Sequence, residues 1–296
     1  MKHLQLLFMS LLICACSGSK PAIESTQKNT SETTTTSETT TIVTDSIIKN
    51  VEINDTLPNT PKKTDTTNVI ICGPTKPIED AMQKPHHDGF DKLLKAYVSD
   101  EGLVNYADLK KRHINLQEYM TYLSTNTPHK SWTKNEKLAY WINAYNAFTI
   151  DLILRHYPIK SIKDIKDPWK QRHWKLGEKW YNLEDIEHEI LRKMNEPRIH
   201  FAIVCASYSC PKLQNEAFQA LNLEAQLTKA TKDFLNDPER NSISQNNLEL
   251  SKIFQWFAKD FKQDGSLIDF LNKYSEINIS KNAKKRFKDY NWDLNE

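Results

Sequence analysis

Cys205 and Cys210 share one segment with His200, Arg198-Ile199-His200-Phe201-Ala202-Ile203-Val204-Cys205-Ala206-Ser207-Tyr208-Ser209-Cys210-Pro211. Ile199 to Cys205 is β-branched and apolar enough for a buried strand. Side chains alternate along a strand, so His200 and Cys205, five positions apart, point to opposite faces. Cys210 is freer, in the loop that follows. Pro211 suits the first position of a helix and makes Cys210 its N-cap. A thiol there meets the helix dipole and exposed N–H groups, which lower its pKa. That pattern points to Cys210 as a nucleophile with His200 or His188 as its base. Other outcomes stay open: a Cys205–Cys210 disulfide in an oxidising compartment, a metal site using both cysteines and a histidine, or inert buried thiols. The metal reading has a gap at the wide end of zinc spacing and lacks a second cysteine pair, so no metal and no cofactor is expected.

Two more segments can supply partners. In Leu183-Glu184-Asp185-Ile186-Glu187-His188-Glu189-Ile190-Leu191-Arg192, helical spacing puts Glu187 on the packed face with Leu183, Ile190 and Leu191. Burial raises the pKa of such an acid and a basic partner lowers it. It is either half of a structural ion pair or an acid/base group lining a cleft. His188 and Arg192, four apart, lie on the flank. In Tyr140-Trp141-Ile142-Asn143-Ala144-Tyr145-Asn146-Ala147, Asn143 and Asn146 share one side of a helix. Buried amides need partners, so they either pin neighbouring loops or orient a catalytic histidine. The candidate catalytic set is Cys210, His200, His188, Glu187 and Asn143, with Cys205, Asn146, Arg192 and Ser207 as candidate binding residues.

The elements that must position these residues begin with a helix carrying Phe90, Leu93, Leu94 and Tyr97. A second helix opens at Thr133, with Glu136 completing a capping box, and runs to about Tyr157, where Pro158 stops it. Its apolar stripe makes it the central helix. His173 to Leu183, with Gly177 inside, reads as a hairpin, and Asn182 caps the helix that holds Glu187. Ser242-Ile243-Ser244 and Leu248-Glu249-Leu250 suggest another hairpin. Helices are expected over Leu223–Leu235, Ile253–Phe261 and Leu267–Tyr274. The sum is an α+β fold, a mostly helical single domain with a small antiparallel sheet.

The 296 residues carry a net charge of +2 and only 6 glycines. Near-balanced charge gives no reason to expect a nucleic-acid partner, and no glycine-rich run could cradle a phosphate. At the N-terminus, Lys2 and His3 precede an apolar run, Leu4 to Ile13, too short to span a bilayer. It ends in Ile13-Cys14-Ala15-Cys16-Ser17-Gly18, which resembles the bacterial lipobox with Cys16 as the lipidated residue. Residues 1–16 are therefore expected to be a lipoprotein signal peptide ending at the lipidated Cys16. Residues 17–83 are expected to be a disordered Thr/Ser-rich tether, and 84–296 the globular domain. The partner expected is a membrane, through Cys16, with any substrate or protein partner unknown; the anchor implies the cell envelope and the outer membrane of a Gram-negative bacterium. Cys72, in the tether, is left either free or paired.

The three segments, in this order, resemble the domain of unknown function 547 family. The likeness continues in Gly102-Leu103-Val104-Asn105-Tyr106, Tyr157-Pro158-Ile159-Lys160-Ser161-Ile162, Ser251-Lys252-Ile253-Phe254-Gln255-Trp256-Phe257 and Tyr290-Asn291-Trp292-Asp293-Leu294-Asn295. It covers roughly residues 88 to 296. The family usually has an aspartate where Asn291 stands and often a second proline where Lys212 stands. The resemblance implies one domain and no settled reaction. Some relatives look intracellular yet carry both cysteines, which disfavours a purely structural disulfide and leaves two readings: a thiol-dependent hydrolase or transferase, and a non-catalytic binding or scaffold module on a tether.

Overall fold

In the computed structural model the described residues are 84–263 and 265–296. The expected signal peptide with Cys16, and the expected tether with Cys72, lie outside them. The described residues fall within one compact unit, Ile70–Glu296, and none of their helices is long and apolar enough to cross a membrane.

The chain opens with α1 (Asp88–Tyr97), α2 (Tyr106–Lys111) and α3 (His113–Thr125). Phe90, Leu93 and Leu94 form the buried face of α1, as their spacing requires. The central helix is α4 (Lys134–His156). Its Thr133 accepts from the Glu136 N–H while Glu136 accepts from the Thr133 N–H, a complete capping box. Such a cap is worth about 1 kcal/mol. Tyr157 turns extended ahead of Pro158 and ends the helix. From Leu138 to Leu154 every α4 residue is buried, because α2, α3 and the Glu187 helix all pack against it.

The expected hairpin is β1 (Trp174–Leu176) with β2 (Lys179–Tyr181), antiparallel. Gly177 takes a φ of +57° at its turn, a conformation that costs glycine least. Asn182 accepts from the Asp185 N–H and starts a wide-turned π-helix, Asp185–Leu191. Further on come α5 (Leu223–Asn236), β3 (Ser242–Ile243), β4 (Asn247–Leu250), α6 (Ile253–Trp256), α7 (Leu267–Asn272) and β5 (Lys284–Phe287). β3 and β4 form the second hairpin, and β5 adds a parallel third strand beside β4. The fold is α+β and mostly helical, with one two-stranded and one three-stranded sheet.

Three local expectations are corrected. Ile199–Cys205 is not a strand. Residues Pro197–Phe201 wind into a 3-10 turn, with Pro197 in its first turn and the Glu196 carboxylate accepting the Arg198 N–H. A short buried apolar run reads alike in both conformations, and the proline decides for the turn. Arg198 then clamps it with bonds to Glu196 and to Glu224 on α5. The turn sends Ile199 into the core around α4 and Phe201 into a second, phenylalanine-rich core with Phe234 and Phe254. Second, no helix begins at Pro211. Cys210 closes a tight turn instead, its N–H bonded to the Ser207 carbonyl at 3.0 Å. Third, the expected helix Ile253–Phe261 breaks after Trp256 and resumes as a 3-10 turn, Asp260–Lys262. That break aims Phe257 and Asp260 at His200.

The last residues fold back over the cysteine loop. The Tyr208 and Ser209 N–H groups donate to the Asp293 and Asn291 carbonyls, and the Asn295 N–H donates to Ala206. Asn295 also accepts from the Tyr106 hydroxyl at 2.8 Å and donates to the Gly102 carbonyl. The tail thereby ties the Gly102–Tyr106 segment to the cysteine loop and brings Tyr290 and Trp292 beside it.

Candidate active site

A cavity of about 200 Å³ is lined by side chains from both cores. Glu187, His188, His200, Cys205 and Cys210 all face it, so five of the sequence-derived candidates converge. Tyr145, Trp256, Phe257, Tyr290 and Trp292 supply most of the rest of its wall. Trp256 stacks on Trp292 with ring centroids 5.9 Å apart, and Tyr290 packs against both.

The two sulfurs lie 2.6 Å apart, both as free thiols. Cys205 is half-buried and Cys210 is buried. Between them Ala206 takes a φ of +56°. A left-handed conformation costs a residue with a Cβ about 1–2 kcal/mol, and the tail's bond from Asn295 to the Ala206 carbonyl holds it in place. The Cys205 N–H donates to the Cys210 sulfur at 3.1 Å. The Tyr290 hydroxyl donates to the same sulfur at 3.2 Å, lies 3.5 Å from the Cys205 sulfur and shares a 2.9 Å bond with the Ser207 hydroxyl. The Ser207 hydroxyl also meets the Cys205 sulfur at 3.1 Å.

These bonds set the two thiols apart. Burial disfavours the Cys210 thiolate. Hydrogen bonds from the Cys205 thiol, the Ser207 and Tyr290 hydroxyls and the Cys205 N–H outweigh it and bring the pKa down to about 6. The Cys205 thiol is pushed up by its bond to Cys210, by burial and by the neighbouring charge. The pair thus shares one readily lost proton, with the negative charge resting on Cys210. The low pKa expected at Cys210 is present, but its cause is this set of donors and not a helix dipole.

The histidines do not form the expected dyad. Among the described residues no histidine nitrogen lies within hydrogen-bonding distance of either sulfur. His200 Nε2 donates to Asp260 Oδ2 at 2.8 Å, and the His200 ring stacks on Phe257 at 3.9 Å. Arg192 grips Asp260 with two bonds, Nε to Oδ2 at 2.6 Å and Nη2 to Oδ1 at 2.9 Å. Its Nη1 meets His188 Nδ1 at 3.0 Å. A guanidinium only donates, so His188 Nδ1 is the acceptor in that bond. Burial lowers the His200 pKa against the opposing pull of Asp260. Burial would raise the Asp260 carboxyl, yet His200 and Arg192 hold it well below the usual carboxylate range. Burial raises the pKa of Glu187, partly offset by His188, the Tyr145 hydroxyl bond and Arg192. The cavity therefore holds a thiolate-forming pair on one side and a carboxyl of raised pKa with a histidine–arginine–aspartate chain on another.

Asn143 and Asn146 do not enter the cavity. Asn143 donates to the Phe218 carbonyl at 2.8 Å and accepts the Phe218 N–H at 3.0 Å. Asn146 does the same with the Ala202 carbonyl and the Val204 N–H, at 2.9 and 3.0 Å. The expectation that Asn143 orients a catalytic histidine is corrected: both its amide groups are spent on backbone. Arg192 and Ser207 act as positioning residues for the ionic chain and the sulfurs. Sequence reasoning missed Asp260, hidden inside a helix that does not form, and Tyr290, whose only signal was its place in the C-terminal part of the family resemblance.

Residues 129–235 match the family described as protein of unknown function, DUF547. The matched stretch contains both cysteines, both histidines and Glu187, and ends before Asp260 and Tyr290. No curated protein and no solved structure shows significant similarity to the chain.

Proposed function

We propose that this protein is a membrane-anchored envelope lipoprotein whose globular part is a thiol-dependent enzyme, a transferase or a hydrolase, with Cys210 as its nucleophile. The observation that carries this reading is the set of donors converging on the Cys210 sulfur at the wall of a cavity. A thiolate is the reactive form of cysteine. With a pKa of about 6, Cys210 is about nine-tenths ionised at pH 7, against about 1% for a thiol of pKa near 9. No histidine is needed to take its proton in advance. In the proposed step the Cys210 sulfur attacks an electrophilic atom of a bound group and the bond to the leaving group breaks. Glu187, a carboxyl whose pKa is raised, supplies a proton on the same cavity wall. Water or a second acceptor then takes the group from Cys210. The aromatic walls favour a substrate with an apolar or planar face beside the reacting atom. Anchoring is supported by the lipobox-like Ile13-Cys14-Ala15-Cys16.

The test is the pH profile of alkylation in the full-length protein, read peptide by peptide in a mass spectrometer. Cys210 should label with iodoacetamide along a curve with its midpoint near pH 6, and Cys210→Ala should lose that label. A Cys210 midpoint near pH 9 in the folded protein would refute the nucleophile.

A further inference from the structure

We propose that Cys205 is the resolving thiol of Cys210, and that the substrate of this site is a disulfide, exchanged through a transient Cys205–Cys210 bond. The inference rests on Cys210 being the nucleophile and sets hydrolysis aside: the group carried by Cys210 is one half of a substrate disulfide, and the acceptor that releases it is Cys205. Three features carry it. The sulfurs are 2.6 Å apart while both cysteines are free, so each thiol is the other's nearest reaction partner. Both also line the same cavity, which lets a substrate sulfur reach Cys210 while Cys205 waits beside it. Finally, among the described residues no histidine lies within bonding distance of either sulfur, whereas the Tyr290 hydroxyl contacts both, at 3.2 and 3.5 Å. An acyl transfer of the usual cysteine–histidine kind needs an imidazole beside the sulfur, which takes the thiol proton and as imidazolium gives it to an amine leaving group. Disulfide exchange does not, because a thiolate is itself a good leaving group.

The exchange balances in two steps. The Cys210 thiolate attacks one sulfur of the substrate disulfide. The substrate S–S bond breaks, a mixed disulfide forms at Cys210, and the first substrate thiolate leaves and takes a proton from solvent. Cys205 then gives up its proton through the Tyr290 and Ser207 hydroxyls, and its sulfur attacks the Cys210 sulfur. The mixed disulfide breaks, the second substrate thiol leaves with that proton, and a Cys205–Cys210 disulfide remains. Two electrons have moved from the cysteine pair to the substrate. A dithiol reductant returns the pair by the same two steps in reverse. The raised Cys205 pKa suits the resolving role, since a protonated Cys205 does not compete for substrate.

The reduced full-length protein is mixed with glutathione disulfide in one arm and with insulin, a disulfide-bonded polypeptide, in the other. Samples are acid-quenched, alkylated and mapped by mass spectrometry. Wild type should form the Cys205–Cys210 disulfide and release two thiols per site, with little adduct. Cys205→Ser should instead accumulate a mixed disulfide at Cys210, and Cys210→Ser should react at least 100-fold more slowly than wild type. The faster arm identifies a small or a protein disulfide as the natural class. If Cys210 alkylates with a midpoint near pH 6 but neither disulfide reacts, the exchange is refuted and the nucleophile stands. If wild type stores as much adduct at Cys210 as Cys205→Ser does, Cys205 is not the resolving thiol. If Cys210 is inert to both reagents, both readings fall. Should Cys205→Ser fail to fold, Cys205→Ala is used with the same expectations.

Discussion

Replacing Tyr290 by phenylalanine removes one oxygen from the centre of the site and nothing else. Burial and the two neighbouring sulfurs push the Tyr290 pKa well up, so its hydroxyl keeps its proton and donates to Cys210 at 3.2 Å. A hydrogen bond to a charged group contributes about 1.5–3 kcal/mol, and one pKa unit corresponds to about 1.4 kcal/mol. The Cys210 midpoint should therefore rise by about one to two units, from about 6 to about 7–8. The rate at a single pH is a poor readout. At pH 7 the ionised fraction falls about 2- to 10-fold, but a thiolate of higher pKa is a better nucleophile, and the two effects nearly cancel. The midpoint escapes this cancellation. The assay is thus the full pH profile of Cys210 alkylation in Tyr290→Phe, beside near-ultraviolet circular dichroism to show that the packing with Trp256 and Trp292 survives. A folded variant whose midpoint stays within about 0.3 units of wild type would show that the hydroxyl does not stabilise the thiolate, and would remove the main support for its part in proton movement.

Asn146→Ala should destabilise the protein by about 2–5 kcal/mol in urea unfolding, because it strands the buried Ala202 carbonyl and Val204 N–H; a loss under 1 kcal/mol would mean the clamp is dispensable. His87 is buried, with Nδ1 bonded to the Tyr119 hydroxyl at 2.7 Å and Nε2 without a partner. Burial and the nearby His86 bring its pKa down from 6.5 to about 4, so the fold favours the neutral ring. That contribution is complete above pH 6.5 and is lost as pH falls towards 4, and wild type should lose about 2.5 kcal/mol more than His87→Gln between pH 7 and 4.5 in urea melts; equal losses would refute it. Cys16→Ala should abolish incorporation of labelled palmitate into the full-length chain in a bacterial host and release the protein from the membrane fraction; unchanged labelling would place the lipid elsewhere.

What was legible in the sequence followed from local physics. The capping box at Thr133 and the stop at Pro158 bound α4 because both act within a turn of the chain. Glu187 could be placed on a packed face because helical spacing says so, although the helix turned out wide. The two asparagines could be read as pins because a buried amide must bond something. What they pin could not be read, since Phe218 and Ala202 lie 75 and 56 residues away. The failed strand at Ile199–Cys205 has the same root. Its apolar run signals burial, and burial is satisfied equally by a 3-10 turn followed by a stretch whose backbone bonds go to the Asn146 side chain instead of a neighbouring strand.

The thiol shows the limit most clearly. A depressed pKa at Cys210 was expected from a helix that does not exist, and it arises instead from donors that a local reading could not assemble. Three of them, the Cys205 thiol and N–H and the Ser207 hydroxyl, are close in sequence, but they aim at Cys210 only because Ala206 turns left-handed. The fourth, Tyr290, is 80 residues away and arrives because Asn295 bonds Tyr106, Gly102 and Ala206 together. The segments of the family resemblance that supply none of the cavity's thiols, histidines or carboxyls, Gly102–Tyr106 and Asn291–Asn295, thus have a physical role. They hold the tail against the cysteine loop, and through it they set which of the two sulfurs carries the charge. Loosening the tail should therefore act on the thiol before it acts on the fold, which is the opposite order to the one expected if Cys205 and Cys210 were only core residues.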